Sequence, residues 1–151
     1  MARSLTVRLP SMCISLSFGL VITGCSTPSP ATQDLSAQST VASYFNDVNA
    51  HEWTQAGALL SPSVQRTYST APDSDRSNTL SVTSLHVRVR PAPFARGDYP
   101  GFTNIQQALV TYDATYKKVY GSTDGPQTRF VYVGRQDTAG HWRILGIGTG
   151  P

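Results

Sequence analysis

Residues 108–147 read ALVTYDATYKKVYGSTDGPQTRFVYVGRQDTAGHWRILGI, and this stretch decides the fold class. Its first part alternates with period two, which predicts a long strand over residues 102–118. The more apolar side of that strand carries Ala108, Val110, Tyr112, Ala114 and Tyr116, and the other side carries Gln107, Leu109, Thr111, Asp113 and Thr115. Two further strands, over 127–135 and 141–147, follow short turns rich in Gly and Asp. Short turns between strands predict an antiparallel meander.

A fourth strand is predicted upstream, over residues 79–90, where TLSVTSLHVRVR also alternates. The apolar phase slips, because Leu80 and Val82 share one register while Leu85 and the two following valines share the other. A bulge or bend near residues 83–84 would explain the slip. The next segment, PAPFARGDYPG at 91–101, has three prolines and two glycines, so we expect a long connection outside the sheet.

Helices are predicted before the sheet. Val41, Tyr44, Phe45 and Val48 follow the i, i+3, i+4, i+7 pattern of an amphipathic helix, with Ser39 or Thr40 as its N-cap. A second, shorter helix is expected over 54–60, a third short turn after the N-cap and proline at 61–62, and a polar loop over 69–78. Helices followed by an antiparallel sheet of about four strands predict an α+β domain with the helices on one face of a curved sheet.

The N-terminus has the organisation of a secretory signal. Two arginines and no acid precede the apolar stretch 12–22, which is too short for a membrane span of about 20 residues. Residues 22–25, Ile-Thr-Gly-Cys, resemble a bacterial lipobox, which implies a diacylglyceryl and palmitate anchor on Cys25. A plain signal peptide cut elsewhere is the alternative. The predicted organisation is therefore a signal peptide over 1–24, lipidated Cys25 with a Ser- and Pro-rich tether over 25–38, and a domain over 39–151.

Charge and cysteine content exclude several classes of function. The net charge is +3, with 12 basic and 9 acidic residues, and removing a leader with Arg3 and Arg8 lowers the basic count by two. This near balance argues against nucleic-acid binding. Both cysteines, Cys13 and Cys25, lie in the first 25 positions, so the domain has no disulfide or thiolate metal site. The three histidines are widely separated, so we predict no metal and no cofactor.

Two stretches resemble the nuclear transport factor 2-like (cystatin-like) superfamily. VASYFNDVNAHEWTQAGALLSP, residues 41–62, resembles its opening helices, and VTYDATYKK with the closing GSTDGPQTRFVYVGRQDTAGHWRILGIGTGP is similar to bacterial lipoproteins of that superfamily. The resemblance implies a cone formed by a curved sheet around the first helix, used by different members as an active site, a binding pocket or a dimer surface. Tyrosines and a tryptophan are candidates for lining such a cavity: Tyr44, Trp53, Tyr112, Tyr116 and Tyr132.

Two polar sets have both a functional and a structural interpretation. Asp113 beside tyrosines could act as a general base, but the alternation places it on the side away from Tyr112 and favours a solvated carboxylate paired with Arg129 or Arg135. Likewise, Arg88, Arg90 and Arg96 could receive an anionic group, although a solvated edge that discourages strand pairing is the simpler interpretation.

The sequence thus predicts a protein secreted across the cytoplasmic membrane and anchored to the cell envelope through Cys25. Its domain would bind a small ligand or an envelope protein without catalysis. Two alternatives remain, a pocket enzyme of isomerase or hydrolase type using Asp113 with a tyrosine, and a homodimerising structural module.

Overall fold

The computed structural model describes residues 36–70, 75–118 and 123–150. The predicted signal peptide, Cys25 and most of the predicted tether lie outside these residues. Within them the order is helices first and then one antiparallel sheet, which confirms the predicted α+β class. No helix of this described part is long and apolar enough to cross a bilayer.

Helix α1, Ala37–Asn49, provides most of the helical contribution to the core. The predicted apolar face is confirmed, because Val41, Tyr44, Phe45 and Val48 are all buried. The predicted cap is wrong. Ser36 is extended and its hydroxyl accepts a hydrogen bond from the Ser39 N–H at 3.1 Å, so the helix begins inside the predicted tether.

Three shorter helices follow: α2, Trp53–Ala58; α3, Pro62–Thr70; and α4, Asp75–Asn78. The helix start at the 61–62 pair is confirmed, with proline at the first helical position. The polar loop predicted over 69–78 is wrong at both ends, since α3 extends through Thr70 and α4 forms one turn just before the sheet. Residues 71–74 lie outside the described residues.

The sheet contains β1, Thr79–Pro91; β2, Asn104–Tyr116; β3, Gly125–Arg135; and β4, Arg143–Gly148. Its order is β1-β2-β3-β4 with antiparallel neighbours, so the predicted meander is confirmed. At the β4 edge, Leu60 forms a short parallel bridge to Ile144. The segment after α2 is thereby attached to the sheet.

The predicted irregularity in β1 is also confirmed. The pairing of β1 with β2 shifts between Thr83 and His86, and Ser84 has a φ of 53°. The shift brings Val82 and the later apolar residues of β1 onto the same face, where they contact one core. The register shifts a second time between Thr79 and Ser81. Leu80, between them, is exposed, although it is two residues from buried Val82 and the alternation alone would place both on one face.

The two faces of the sheet are covered differently. The inner face packs on α1 in the main core, which includes Ala108, Val110, Val131 and Ile144. Among the described residues, the outer face is covered at one end only, by the connection between β1 and β2. That connection contains a 3-10 helix, Pro93–Gly97, and belongs to a second cluster formed by Ala92, Ala95, Ile105 and Leu145 with Tyr99, Phe102 and Tyr132.

Candidate functional site

The cavity between α1 and the inner face is small, about 30 Å³. That volume accommodates about one water molecule, whereas small-molecule sites typically measure about 300–1,000 Å³. Large side chains occupy the space that an open cone would leave. The lining residues are Tyr44, Phe45, Val48, Tyr68, Arg76, Thr79, Val82, Tyr112, Arg129 and Ile147.

Two arginines, Arg76 and Arg129, line this inner cavity, and Arg129 is the more buried, at 5% exposed. Its guanidinium donates to the backbone oxygen of Thr128 at 3.1 Å and to Gln127 Oε1 at 3.4 Å. The register places it opposite Val110 on the inner face, whereas Asp113 lies opposite Thr83 and Pro126. The predicted pairing of Asp113 with Arg129 or Arg135 is wrong. Asp113 lies on the outer side of β2 opposite Pro126, whereas Arg129 is on the inner face and Arg135 pairs with Asn104 at the other end of β2.

The predicted pocket residues occupy three places. Tyr44 and Tyr112 line the inner cavity. Tyr116 is buried in the main core, where its hydroxyl has no hydrogen-bond partner among the described residues. Trp53 lies at a separate cleft of about 300 Å³ between α2, α3 and α4, beside Arg76, whose guanidinium carbon is 5.8 Å from the ring centroid. Tyr132 lies on the outer face.

The structure places Asp113 as the alternation predicts, and it leaves His86 and His141 exposed. Asp113 is half-buried and shares no face with Tyr112 or Tyr116, as the alternation predicts. His86 is exposed on the same side of β1 as Arg88 and Arg90, and His141 is exposed next to buried Trp142. No cluster of three or more His, Cys, Asp or Glu in the described ranges could hold a metal ion.

A groove crosses the part of the outer face that the connection leaves uncovered. It has a volume of about 210 Å³ and is lined by Arg88, Val89, Arg90, Gln107, Leu109 and Phe130. A shallower depression of about 340 Å³ continues it and is lined by His86, Arg88, Leu109 and Thr111. We call these two the outer groove. The register explains the arrangement, because Arg88, Leu109 and Phe130 occupy one row across β1, β2 and β3.

The neighbouring row contains a polar network that holds one cation in place. Arg90 donates from Nε and Nη2 to Gln107 Oε1, at 3.1 and 2.6 Å, and Gln107 Nε2 donates to the Tyr132 hydroxyl at 3.0 Å. Gln107 is 2% exposed, so its amide is a buried polar group with both ends satisfied. This network fixes the orientation of Arg90 at the wall of the groove.

Aromatic side chains from the connection pack on Tyr132, the last residue of this network. The rings of Tyr99 and Tyr132 lie 5.5 Å apart, and Phe94 meets Tyr132 edge-on at 6.5 Å. The pKa of Tyr99 is raised mainly by burial and to a smaller extent by the neighbouring Tyr132 and Asp98. The Tyr99 phenol is therefore neutral. Phe94 itself is 67% exposed, so an apolar ring beside Tyr132 is in contact with solvent.

The three candidate arginines do not form one cluster. Arg88 and Arg90 line the outer groove, whereas Arg96 donates to the backbone oxygen of Thr103 at 2.7 Å and ties down the connection. Sequence reasoning missed the apolar part of the groove, Leu109 with Phe130. The available signal was an isolated leucine in the polar phase of β2, but its partner on β3 depends on the register.

Comparisons of the chain with protein-family models, with curated proteins and with solved structures gave no match in any of the three.

Proposed function

We propose that this chain is a lipid-anchored envelope protein whose domain, of the nuclear transport factor 2-like class, is a non-catalytic binding module. Its binding surface is the outer face of the sheet, and its partner is an envelope protein. The proposed anchor is Cys25, on the basis of the signal-like leader and the lipobox-like residues before it.

The observation that carries this proposal is the contrast between the two cavities. The inner cavity, at about 30 Å³, has no room for a substrate or a small ligand. The outer groove is larger, open to solvent, and includes Leu109, which is 38% exposed. The exposed ring of Phe94 packs on Tyr132, which bonds to Gln107 of the groove. Exposed apolar side chains grouped on one face with polar residues around them favour a protein contact.

The enzymatic alternative has no support in the arrangement of its residues. A general base paired with a tyrosine requires both groups within hydrogen-bond reach of one substrate. Asp113 lies on the outer side of β2, while Tyr112 and Tyr116 lie on the inner side. We therefore retain the binding function.

In-cell photo-crosslinking tests the proposal. A photoreactive phenylalanine replaces Leu109 in the outer groove or, as the control, Arg66, which is exposed on α3. We expect position 109, but not position 66, to give a discrete protein adduct in membranes of the native host. An adduct of this chain with itself would instead indicate the homodimer, and no adduct from position 109 would refute the proposed surface.

The anchor is tested separately by replacing Cys25 with Ser. Palmitate labelling of the chain and its recovery with membranes should both be lost. Retention of either in the variant would refute lipid attachment at this residue without affecting the proposed binding surface.

A further inference from the structure

The outer groove combines positive charge along one side with an apolar floor. Arg88 and Arg90 lie on β1 at the edge of the sheet, and Leu109 and Phe130 lie on the two strands beside it. A ligand that fits both parts carries an anionic group next to an apolar one.

The two arginines differ in a way that suits a binding site. Arg90 is oriented by buried Gln107, and this contact leaves further N–H donors of its guanidinium for a ligand. Arg88 is exposed and makes no hydrogen bond to any described residue, so its guanidinium has its full set of donors. One fixed and one adjustable guanidinium can together hold a carboxylate through charge-assisted hydrogen bonds.

No described carboxylate neutralises this pair. The residues lining the outer groove include no Asp or Glu. Asp113 shares the outer side of β2 and is two residues beyond Thr111, at the far end of the groove. From Leu109, which pairs with Arg88, it is four residues away, or about 13 Å along an extended strand. The local charge of the groove is therefore positive, although the whole chain is close to balanced.

We propose that the outer groove binds an acidic segment of a partner protein, with an Asp or Glu carboxylate on Arg88 and Arg90 and an adjacent aliphatic or aromatic side chain on Leu109 and Phe130. This inference rests on the proposed function and specifies the chemistry of its partner. A protein segment is favoured over an anionic bilayer because the arginines lie directly beside the apolar Leu109 and Phe130. A peptide can place an apolar side chain next to a carboxylate, whereas the surface of a bilayer presents polar headgroups.

A peptide selection tests the proposed chemistry. The full, lipidated chain in phosphatidylcholine nanodiscs is used to select from a displayed library of random seven-residue peptides. We expect enrichment of sequences in which Asp or Glu adjoins an aliphatic or aromatic residue. The enriched peptides are then synthesised, and their Kd values are measured by fluorescence anisotropy for the unchanged chain and its variants.

Two variants separate the two parts of the site, each with a matched control. Arg88→Gln should weaken binding about fivefold, as expected for one partly solvated charge pair, while Arg66→Gln, with the same charge change on α3, should leave Kd unchanged. Leu109→Asn should also weaken binding about fivefold, while Leu80→Asn, at an exposed leucine of β1 outside the groove, should not. Thermal midpoints of all four variants confirm that each is folded.

The remaining outcomes decide against the inference. Selected peptides without acidic enrichment, or peptides that bind Arg88→Gln as tightly as the unchanged chain, would overturn it. So would Arg88-dependent binding to vesicles containing phosphatidylglycerol in the absence of peptide binding, which would assign the groove to the membrane. If the crosslink from position 109 to a protein persists in either case, the proposed function stands and only the chemistry of the partner is wrong.

Discussion

Replacing Gly134 with Ala should destabilise the domain, because the outer-face cluster packs directly on this glycine. A Cβ at position 134 would lie 2.8 Å from Leu145 Cδ1, 3.3 Å from the Asn104 carbonyl oxygen and 3.3 Å from Phe102 Cδ1. The carbonyl belongs to paired β2 backbone and cannot move aside without disturbing the sheet. Glycine is therefore needed at position 134 because its neighbours leave no room for a side chain, and not because of its backbone conformation.

The expected magnitude combines two opposing contributions. Forcing a methyl group into a packed core costs about 1–3 kcal/mol. Alanine also lowers the entropy of the unfolded chain, which returns about 0.4–1 kcal/mol. We expect Gly134→Ala to lower the free energy of unfolding by about 1–2 kcal/mol. In a domain of this size, that corresponds to a fall in Tm of roughly 4–10 °C.

Gly97→Ala is the matched control. Gly97 ends the 3-10 helix of the same connection, and a Cβ there would meet nothing within 4 Å. Only the loss of unfolded-chain entropy applies here, so the free energy of unfolding of Gly97→Ala should be unchanged or slightly raised. Urea unfolding of the purified full chain, followed by circular dichroism, measures both variants. Equal midpoints for Gly134→Ala and the unchanged chain would refute the packing of the connection on the outer face.

Three further predictions concern hydrogen bonds and charge. Ser36→Ala should lower the free energy of unfolding by about 1 kcal/mol in urea titrations, whereas Ser39→Ala should change it little. A larger loss for Ser39→Ala than for Ser36→Ala would contradict Ser36 as the N-cap. Tyr132→Phe should lower the free energy of unfolding by about 1 kcal/mol, because it removes the hydroxyl that accepts from the Gln107 amide. Tyr116→Phe removes a buried hydroxyl without a hydrogen-bond partner among the described residues, so in the same urea titration it should be neutral or stabilising. The pKa of Asp47 is raised above its ordinary 3.8 mainly by burial and secondly by repulsion from Glu52. The folded chain therefore binds more protons than the unfolded chain near this pKa, and the free energy of unfolding falls as pH rises through it. Asp47→Asn should remove this fall, so that the urea midpoint changes less with pH above about pH 3.8 and is higher at pH 7. An unchanged pH profile would contradict this prediction.

Several features of the fold could be predicted from the sequence because short-range patterns encode them. The period-two alternation of β2 and the i, i+3, i+4, i+7 spacing in α1 depend only on which side chains must leave water. The β1 bulge was predictable for the same reason, since a phase slip between Val82 and Leu85 requires an extra residue if both face one core. The N-cap was missed because several serines and threonines precede the apolar face, and their capping strengths are similar.

The sequence by itself therefore determined the class, the helix-then-sheet order, the inner face of β2 and the irregularity that brings the apolar residues of β1 to the same side. The tertiary structure alone decided which face is open and what it offers. Gln107, Arg90 and Tyr132 come from three strands, and only the register brings the arginine and the tyrosine to the two ends of one amide. The small inner cavity was equally beyond sequence reasoning, because its volume depends on how large side chains from separate elements fill a shared space. Register and packing are long-range properties, and local periodicity carries no information about them.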